Sequence, residues 1–365
     1  MTEASLRRPL EVREVAARDA WDALLLRLPD PDVRQAFAWG QIRSGHHGHA
    51  YRYAAFAGDA PVAAMSVIPW TLAPGASLLY ASRGPVVDPA AGEAAWQGVL
   101  AIARVIGRRS RGIVLRMSPG VMRDQSPLHD ELTARGVRAL PDEWTSWNAP
   151  RISMTLDLTA SETDVKRRMR ESTRLSLTRA AKHGVKIADE LDDGALARFH
   201  QMLALSGRRR AFPVRPLEYF RALRDAYVAR GAGCLLMANH DGHDLGGLLA
   251  VRFGRRGYLL HSCLDAESEE VRKLRVGAGL HWEVIRWARA HGCTAMDWGG
   301  AGTGYPPRPE HVGYGIYDFK HGFGCRLEHY SGYYDIVFRP ALYRLFRLAE
   351  RHAVGWAWRI RSMLN

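Results

Sequence analysis

The sequence predicts a mixed α/β protein in which one structural unit is used twice. Three observations carry that expectation. The chain has 365 residues, enough for two domains or one large one. Apolar residues make up 47% of it and charged residues 24%, the balance of a globular chain with a buried core. An order of helix, three-strand meander, long helix and strand then occurs once in each half.

In the first half, Ala17 to Leu28 reads as an amphipathic helix closed by Pro29-Asp30-Pro31, and Ala36 to Arg43 as a short helical segment. Tyr51 to Ala57, Val62 to Ile68 and Ser77 to Ala81 read as the meander, with a turn at Gly58-Asp59. Ala90 to Arg109 carries Trp96, Val99, Leu100, Ala103 and Ile106 at helical spacing. Ile113 to Met117 follows as a strand, and Pro127 to Arg135 as a short helix. The second half predicts helices over Asp193 to Leu205 and Leu217 to Arg230. Strands come next at Gly233 to Ala238, Gly246 to Phe253 and Tyr258 to Ser262. One helix over Glu269 to His291 and a strand over Thr294 to Trp298 complete the copy. Thr155 to Leu158 reads as a linking strand between the halves. The expected domains are 1–150 plus 332–365, and 151–331.

The formal charge is +13, a surplus that suits polyanionic partners such as RNA, phosphorylated substrates or an anionic membrane face. It equally suits plain solubility. Cys234, Cys263, Cys293 and Cys325 show no CxxC and no His at ligand spacing, so they read as buried thiols in a reducing compartment. The uncharged stretch from Ala60 to Ser82 is long enough to span a bilayer, but Pro61, Pro69, Pro74 and Gly75 cut it into strand-sized pieces. The N-terminus has no apolar signal core, and the expected location is cytoplasmic. The cluster His46-His47-Gly48-His49 has no Cys or acid nearby and reads as a solvated loop, so no metal is expected. The Gly-x-x-x-x-Gly-Lys-Ser/Thr loop of ATP-dependent enzymes is absent, so the energy for any transfer arrives in an activated donor.

Two basic stretches invite a choice. Lys166, Arg167, Arg168, Arg170 and Arg174 follow Ser161 and Asp164, which fit an N-terminal capping pattern, so the run reads as helical. It is either a solvated helix face or a surface for nucleic-acid phosphates. The second stretch, Pro340 to Asn365, sets Leu342, Leu345, Phe346, Ala349, Ala353, Trp356 and Ile360 near helical spacing, with arginines on the other side. It is either a packed terminal helix, or a helix whose basic face and Trp356 or Trp358 rest on an anionic leaflet.

The segment from Thr294 to Asp335 carries the chemistry. Met296-Asp297-Trp298-Gly299-Gly300 ends a strand-like run in an acid and two glycines, and a loop rich in Gly, Pro and Tyr leads to Tyr317-Asp318-Phe319-Lys320-His321-Gly322-Phe323-Gly324. By spacing alone this is a loop packing aromatics, with Lys320 snorkelling to water. The Asp-aromatic-Gly-Gly run, the long loop and Phe-Lys-x-x-Phe-Gly before a Tyr-rich strand resemble the Fem family. Its members are aminoacyl-tRNA-dependent transferases that build peptidoglycan interpeptide bridges. The repeated unit likewise resembles the order of the GNAT acyltransferase core, so the resemblance implies two tandem GNAT-like domains. It spans Trp39 to about Tyr334. No extended heptad run is visible, so the chain looks like the compact form without the helical-hairpin insertion.

The resemblance implies roles. Lys320 would stabilise the oxyanion of acyl transfer, and Phe319 would sit beside it. Trp39-Gly40-Gln41-Ile42-Arg43 resembles the family's Trp-Gly-x-x-Lys, with Arg43 in place of the precursor-binding lysine; arginine keeps the charge and binds phosphate in bidentate fashion. Arg209, in Ser206-Gly207-Arg208-Arg209-Arg210-Ala211-Phe212, matches a precursor-contacting arginine, and Tyr258 a ligand-lining tyrosine. The implied partners are aminoacyl-tRNA, bound by the basic run at Lys166, and a UDP-linked or lipid-linked peptidoglycan precursor. No cofactor beyond the donor and a monomeric state are expected, with peripheral contact at the inner face of the membrane. Leu274-Arg275-Val276-Gly277-Ala278-Gly279 is similar to the pyrophosphate-binding loop of acyl-CoA-dependent GNAT enzymes, except that Leu274 holds the Arg/Gln position. Three alternatives stay open: an acyl-CoA N-acyltransferase, a Fem-like enzyme of secondary metabolism, and a tRNA- or precursor-binding protein without turnover.

Overall fold

The structure is a computed structural model that describes residues 10–45, 49–123, 128–141, 150–210, 212–265, 267–302, 304–311 and 313–350. His46, His47, Trp356 and Trp358 lie outside the described residues. The chain forms two units, one taking the described residues up to Arg151 and resuming at His329, the other running Ile152–Glu328.

The first unit contains β1 (Leu10–Glu14), α1 (Arg18–Leu25), α2 (Phe37–Ser44), β2 (Tyr51–Ala57), β3 (Ala60–Ala73), β4 (Ala76–Arg83), β5 (Val86–Val87), α3 (Glu93–Ser110), β6 (Gly112–Pro119), α4 (Leu128–Ala134) and β7 (Arg138–Ala139). The second contains β8 (Ile152–Asp157), α5 (Glu162–Arg168), α6 (Glu171–Lys182), β9 (Lys186–Asp189), α7 (Asp193–Arg210), α8 (Leu217–Ala226), β10 (Gly233–His240), β11 (His243–Phe253), β12 (Arg256–Leu264), α9 (Glu270–Lys273), α10 (Val276–Ala290), β13 (Ala295–Gly300), α11 (Tyr314–Gly322) and β14 (Arg326–His329). The chain then returns to the first unit as β15 (Tyr334–Val337) and a helix over 340–350, α12.

The first sheet runs β1-β2-β3-β4-β6-β15-β7, with β5 on β3, and the second runs β14-β8-β13-β12-β11-β10-β9. Each holds an antiparallel meander followed by a helical crossover to a parallel neighbour. In the first unit, Trp96, Val99, Ile102 and Ile106 of α3 bury against Ala55, Met65 and Leu115 of the sheet. In the second, Val276, Leu280 and Val284 of α10 pack over Leu236, Leu248 and Met296. All four cysteines are free and buried, and no described helix is long and apolar enough to cross a membrane.

Four sequence expectations need correction. Thr155 to Leu158 is no linker: β8 lies between β14 and β13 with Met154 and Leu156 in the core. The helix expected over Glu269 to His291 is two, the short α9, which has no fully buried residue, and α10. Arg275 takes the break, with φ +56°. Lys320 sits on a helix, α11, and not in a loop. In α12, Leu342 and Phe346 pack on the sheet as expected, but Leu345 is 64% exposed and Leu348 58%.

One buried ion pair anchors the returning strand. Arg116 on β6 is 1% exposed and Asp335 on β15 is 0% exposed. The guanidinium donates twice to the carboxylate, each bond 2.8 Å, and again to Glu350 of α12 at 2.6 Å. The Tyr343 hydroxyl donates to the same Asp335 at 2.9 Å, so both sides of the carboxylate are satisfied. Removing one partner of such a pair leaves a buried charge uncompensated. Asp335→Ala should therefore lower stability by about 3–5 kcal/mol, read by urea unfolding. A loss below about 1 kcal/mol, the level of a surface pair, would show that the carboxylate is not structural.

Candidate active site

The site begins where two strands part. The parallel β12 and β13 pair only through Arg256 with Ala295, Gly257 with Met296 and Tyr258 with Asp297. Beyond that point β12 continues to Leu264 and β13 to Gly300, so their facing edges are unpaired. Backbone groups at such an edge need other partners. In open α/β sheets, a crevice at the carboxyl ends of strands is the usual ligand position. The corresponding pair of the first unit, β4 and β6, stays paired from Ser77 to Arg83, with one register shift after Ser77, and does not part.

Asp297 shapes the parting strand. It is 1% exposed, and its Oδ1 accepts from the Ser153 hydroxyl and from the Gly299 N–H, each at 2.7 Å. The second bond folds the chain back at Gly299, whose φ of +74° favours glycine. The Asp-aromatic-Gly-Gly run is thus a side-chain-locked turn at the crevice.

Lys320 closes that edge. Its Nζ donates to the Trp298 carbonyl at 2.6 Å and the Gly300 carbonyl at 2.7 Å, two acceptors on the freed part of β13. An ammonium has three donors, so one remains for a ligand. Burial lowers the Lys320 pKa, while the nearby Asp297 carboxylate works in the other direction. Phe323, three residues on, is 1% exposed and anchors α11 in the core, and Phe319, the residue before Lys320, is 39% exposed. The result is a cation held in one place with little water around it. Such a group interacts strongly with negative charge that develops within its reach.

Two residues here escaped the sequence reading. His281 on α10 packs against Trp298 and Phe319, each with ring centroids 4.9 Å away. Its Nδ1 donates to the Gly277 carbonyl at 2.7 Å, leaving the other ring nitrogen as an acceptor. Burial pushes its pKa down to about 4, opposed by the Gly277 bond and aided by the Lys320 charge, so the ring is neutral near pH 7. The Trp298 indole N–H is buried and has no hydrogen-bond partner among the described residues. A lone His in an apolar helix and a Trp in a strand carry no periodic signal that separates them from core residues.

The basic run looks different once folded. Ser161 caps α5 as expected, its hydroxyl accepting from the Asp164 N–H. Lys166 then meets Glu162 at 3.5 Å, Arg167 meets Asp164 at 2.6 Å, Arg168 meets Asp157 at 3.0 Å and Arg170 meets Asp318 at 2.8 Å. Arg174 donates to the Met169 carbonyl. Arg179, Lys182 and Arg275, which pair with no carboxylate among the described residues, line a 510 Å³ cavity with Ser172, Ser176 and His183. That cavity reaches Arg275, the residue before α10, where the helix dipole favours anions.

The remaining expected residues are distributed. Trp39 is buried and Arg43 half-buried in α2 of the first unit. Gly40 has a packing reason, since a Cβ there would lie 2.9 Å from the Arg52 guanidinium and 3.0 Å from Ala50. The Trp-Gly of this motif therefore seats α2. In the second unit, Arg209 near the end of α7 is exposed and 3.5 Å from Glu267, while Tyr258 is buried at the last paired position of β12.

The fold is that of a tandem GNAT-like protein, with one crevice opened between β12 and β13. The sequence matches the acetyltransferase (GNAT) domain family over residues 166–310. It is 22% identical to a lipid II:glycine glycyltransferase of Staphylococcus aureus (strain USA300), over 89% of this chain and 92% of that protein. The fold is similar to the crystal structure of FemX, with TM-score 0.81 and 20% identity over 92% of this chain and 99% of that one. A tandem GNAT protein from the clavulanic acid biosynthesis pathway gives TM-score 0.54 at 14% identity, over 90% of this chain and 98% of that one. The resemblance to the Fem family, first drawn from the Lys320 segment, is borne out over most of the chain.

The neutral His281 gives a test in acid. Its pKa falls from 6.5 to about 4 on folding, so the unfolded chain takes up the proton first as pH drops. Stability present above pH 6.5 is lost as pH falls towards 4, by about 3 kcal/mol if the full shift is expressed. Replacing His281 with Phe should flatten this part of the stability–pH curve by about one proton. An unchanged slope would mean that the ring is charged or exposed in the native state.

Proposed function

We propose that the protein transfers an amino acid from aminoacyl-tRNA to an amine on the stem peptide of a peptidoglycan precursor, as in interpeptide bridge formation. The observation that carries this reading is the Lys320 ammonium, held on two carbonyls of β13 where β12 leaves it. The similarity to glycyltransferases over most of the chain supports it. An aminoacyl ester is already activated, so no Ser or Cys nucleophile is needed, and the four buried thiols fit that requirement. The acceptor amine attacks the ester carbonyl, and the uncommitted N–H of Lys320 stabilises the oxyanion. The C–N bond stays as the C–O bond to the ribose breaks, and the amine's proton passes to the departing ribose oxygen.

In this reading Arg43 and Arg209 hold the precursor, which is nucleotide-linked or lipid-linked, and Trp39, Phe319 and Tyr258 shape its surroundings. The tRNA phosphates meet the surface from Lys166 to Arg174 and the cavity at Arg179, Lys182 and Arg275. The enzyme acts as a cytoplasmic monomer that reaches the inner membrane face and needs no cofactor. The GNAT match over 166–310 and the anion-suited start of α10 favour a second donor, an acyl-CoA. Incubating the purified protein with charged total tRNA, or with acetyl-CoA, and nucleotide- or lipid-linked precursors, then weighing the product, separates the two. A product mass increased by an aminoacyl residue supports the first reading. An acetyl increment, or no product with any donor, overturns it.

Two sets of substitutions test the roles. Lys320→Ala should reduce turnover on the order of 100-fold or more with precursor binding nearly intact. Full activity in that variant would remove Lys320 from the mechanism. Arg43→Ala and Arg209→Ala should each raise the KM for the precursor more than they lower kcat. Unchanged precursor affinity in both would sink their assignment.

A further inference from the structure

A second basic cleft lies in the first unit, and none of the residues given a role in the proposed reaction lines it. It measures 770 Å³ and is lined by Arg104, Arg108 and Arg111 from the end of α3 and by Arg339 before α12, over Gly75 and Phe338. All four arginines are exposed, and none makes an ion pair among the described residues. Their neighbour Arg109, by contrast, pairs with Glu14. No carboxylate is among the described residues that line the cleft. Like charges converge at a cost unless an anion joins them. Arg108 and Arg111 suit the negative end of the α3 dipole, but Arg104 is a turn and a half earlier and Arg339 belongs to another segment.

Exposed leucines lie on the segments that flank this cleft. The end of β3 carries Leu72, 47% exposed, and the Arg339 guanidinium donates to the Gly75 carbonyl of the turn that follows at 2.8 Å. α12 starts directly after Arg339 and packs Leu342 and Phe346 beside Trp70 and Ala76, the flanks of the same turn. Its outer face shows Arg344, Leu345 and Leu348, with Leu345 and Leu348 more than half exposed. Charged side chains around a cleft with leucines beside them fit an amphiphilic anion better than a nucleic-acid backbone, which gains nothing from exposed leucines. The cleft is at the start of β4, while the ligand end expected of the unit lies at Arg83, roughly 25 Å along the strand.

We propose that this cleft binds the phosphates of anionic lipid headgroups, with Leu72, Leu345 and Leu348 entering the acyl boundary, so that the first unit rests on an anionic bilayer. The proposal deepens the reading of a lipid-linked acceptor and rests on it for its purpose. Its test is independent of transfer activity.

The full chain is sedimented with phosphatidylcholine vesicles, with and without phosphatidylglycerol, across a range of salt. Binding should require the anionic lipid and fall with salt. Each arginine near the surface contributes about fivefold, so Arg104→Gln, Arg108→Gln and Arg111→Gln combined should weaken partitioning on the order of 100-fold. That variant should still transfer to a soluble acceptor at the wild-type rate, and Leu72→Ser with Leu345→Ser should weaken vesicle binding while keeping its salt dependence. Equal pelleting with neutral and anionic vesicles, no pelleting with either, or a triple variant that pellets like wild type would each overturn the proposal. So would a triple variant that loses affinity for total tRNA but not for vesicles, which would assign the cleft to RNA.

Discussion

The bidentate pair between Arg116 and Asp335 is the constraint on which the first unit rests. The strand it anchors, β15, arrives only after the whole second unit has been traversed, yet it sits inside the first sheet between β6 and β7. A four-residue strand contributes few ladder bonds of its own. Two buried charge-assisted bonds, with Tyr343 and Glu350 completing the donors and acceptors, give it a specific register against β6. That register also sets where α12 leaves the sheet, and therefore where Arg339 and the exposed leucines stand.

The two copies of the unit differ in one respect that matters for chemistry. β4 and β6 remain bonded over their full length, whereas β12 and β13 part after three pairs. Parting leaves polar backbone in a partly dry place, which is costly unless something satisfies it. In the second unit a side chain does so, and that side chain carries a charge. The need to cap a strand edge and the need for a fixed cation are met by one residue, Lys320. The duplicated unit thus differs between its copies: one strand pair stays closed, and the other parts around an edge capped by Lys320.

The repeated element order was legible from apolar runs between turn signals, and Tyr51–Ala57 appears with the bounds its apolar run and the Gly58-Asp59 turn suggest. What was not legible depends on contacts distant in sequence. β8 reads as a linker because its place between β13 and β14 is invisible from its own residues. The aromatic, glycine-rich run around Lys320 reads as a loop, since its helical packing is fixed by Phe323 meeting Trp298. The basic run reads as a charged face in part because two of its acidic partners, Asp157 and Asp318, come from other elements. His281 gives no sign at all, because one imidazole in an apolar helix acquires its meaning from the rings folded around it. The Phe-Lys-x-x-Phe-Gly pattern was informative only through its resemblance to other chains.

The interrupted order of the first unit has a consequence for its biogenesis. Its sheet lacks β15 until residue 337 has been synthesised, while every strand of the second sheet lies between Ile152 and His329. On a translating ribosome, where a domain folds once its own residues have emerged, the inserted unit is complete before the unit that encloses it. Until then the edge of β6 faces no partner, and Arg116 is a guanidinium without its carboxylate at the border of an apolar core. The nascent first unit is thus an open sheet awaiting its closing strand, the kind of exposed edge to which chaperones and neighbouring chains are drawn.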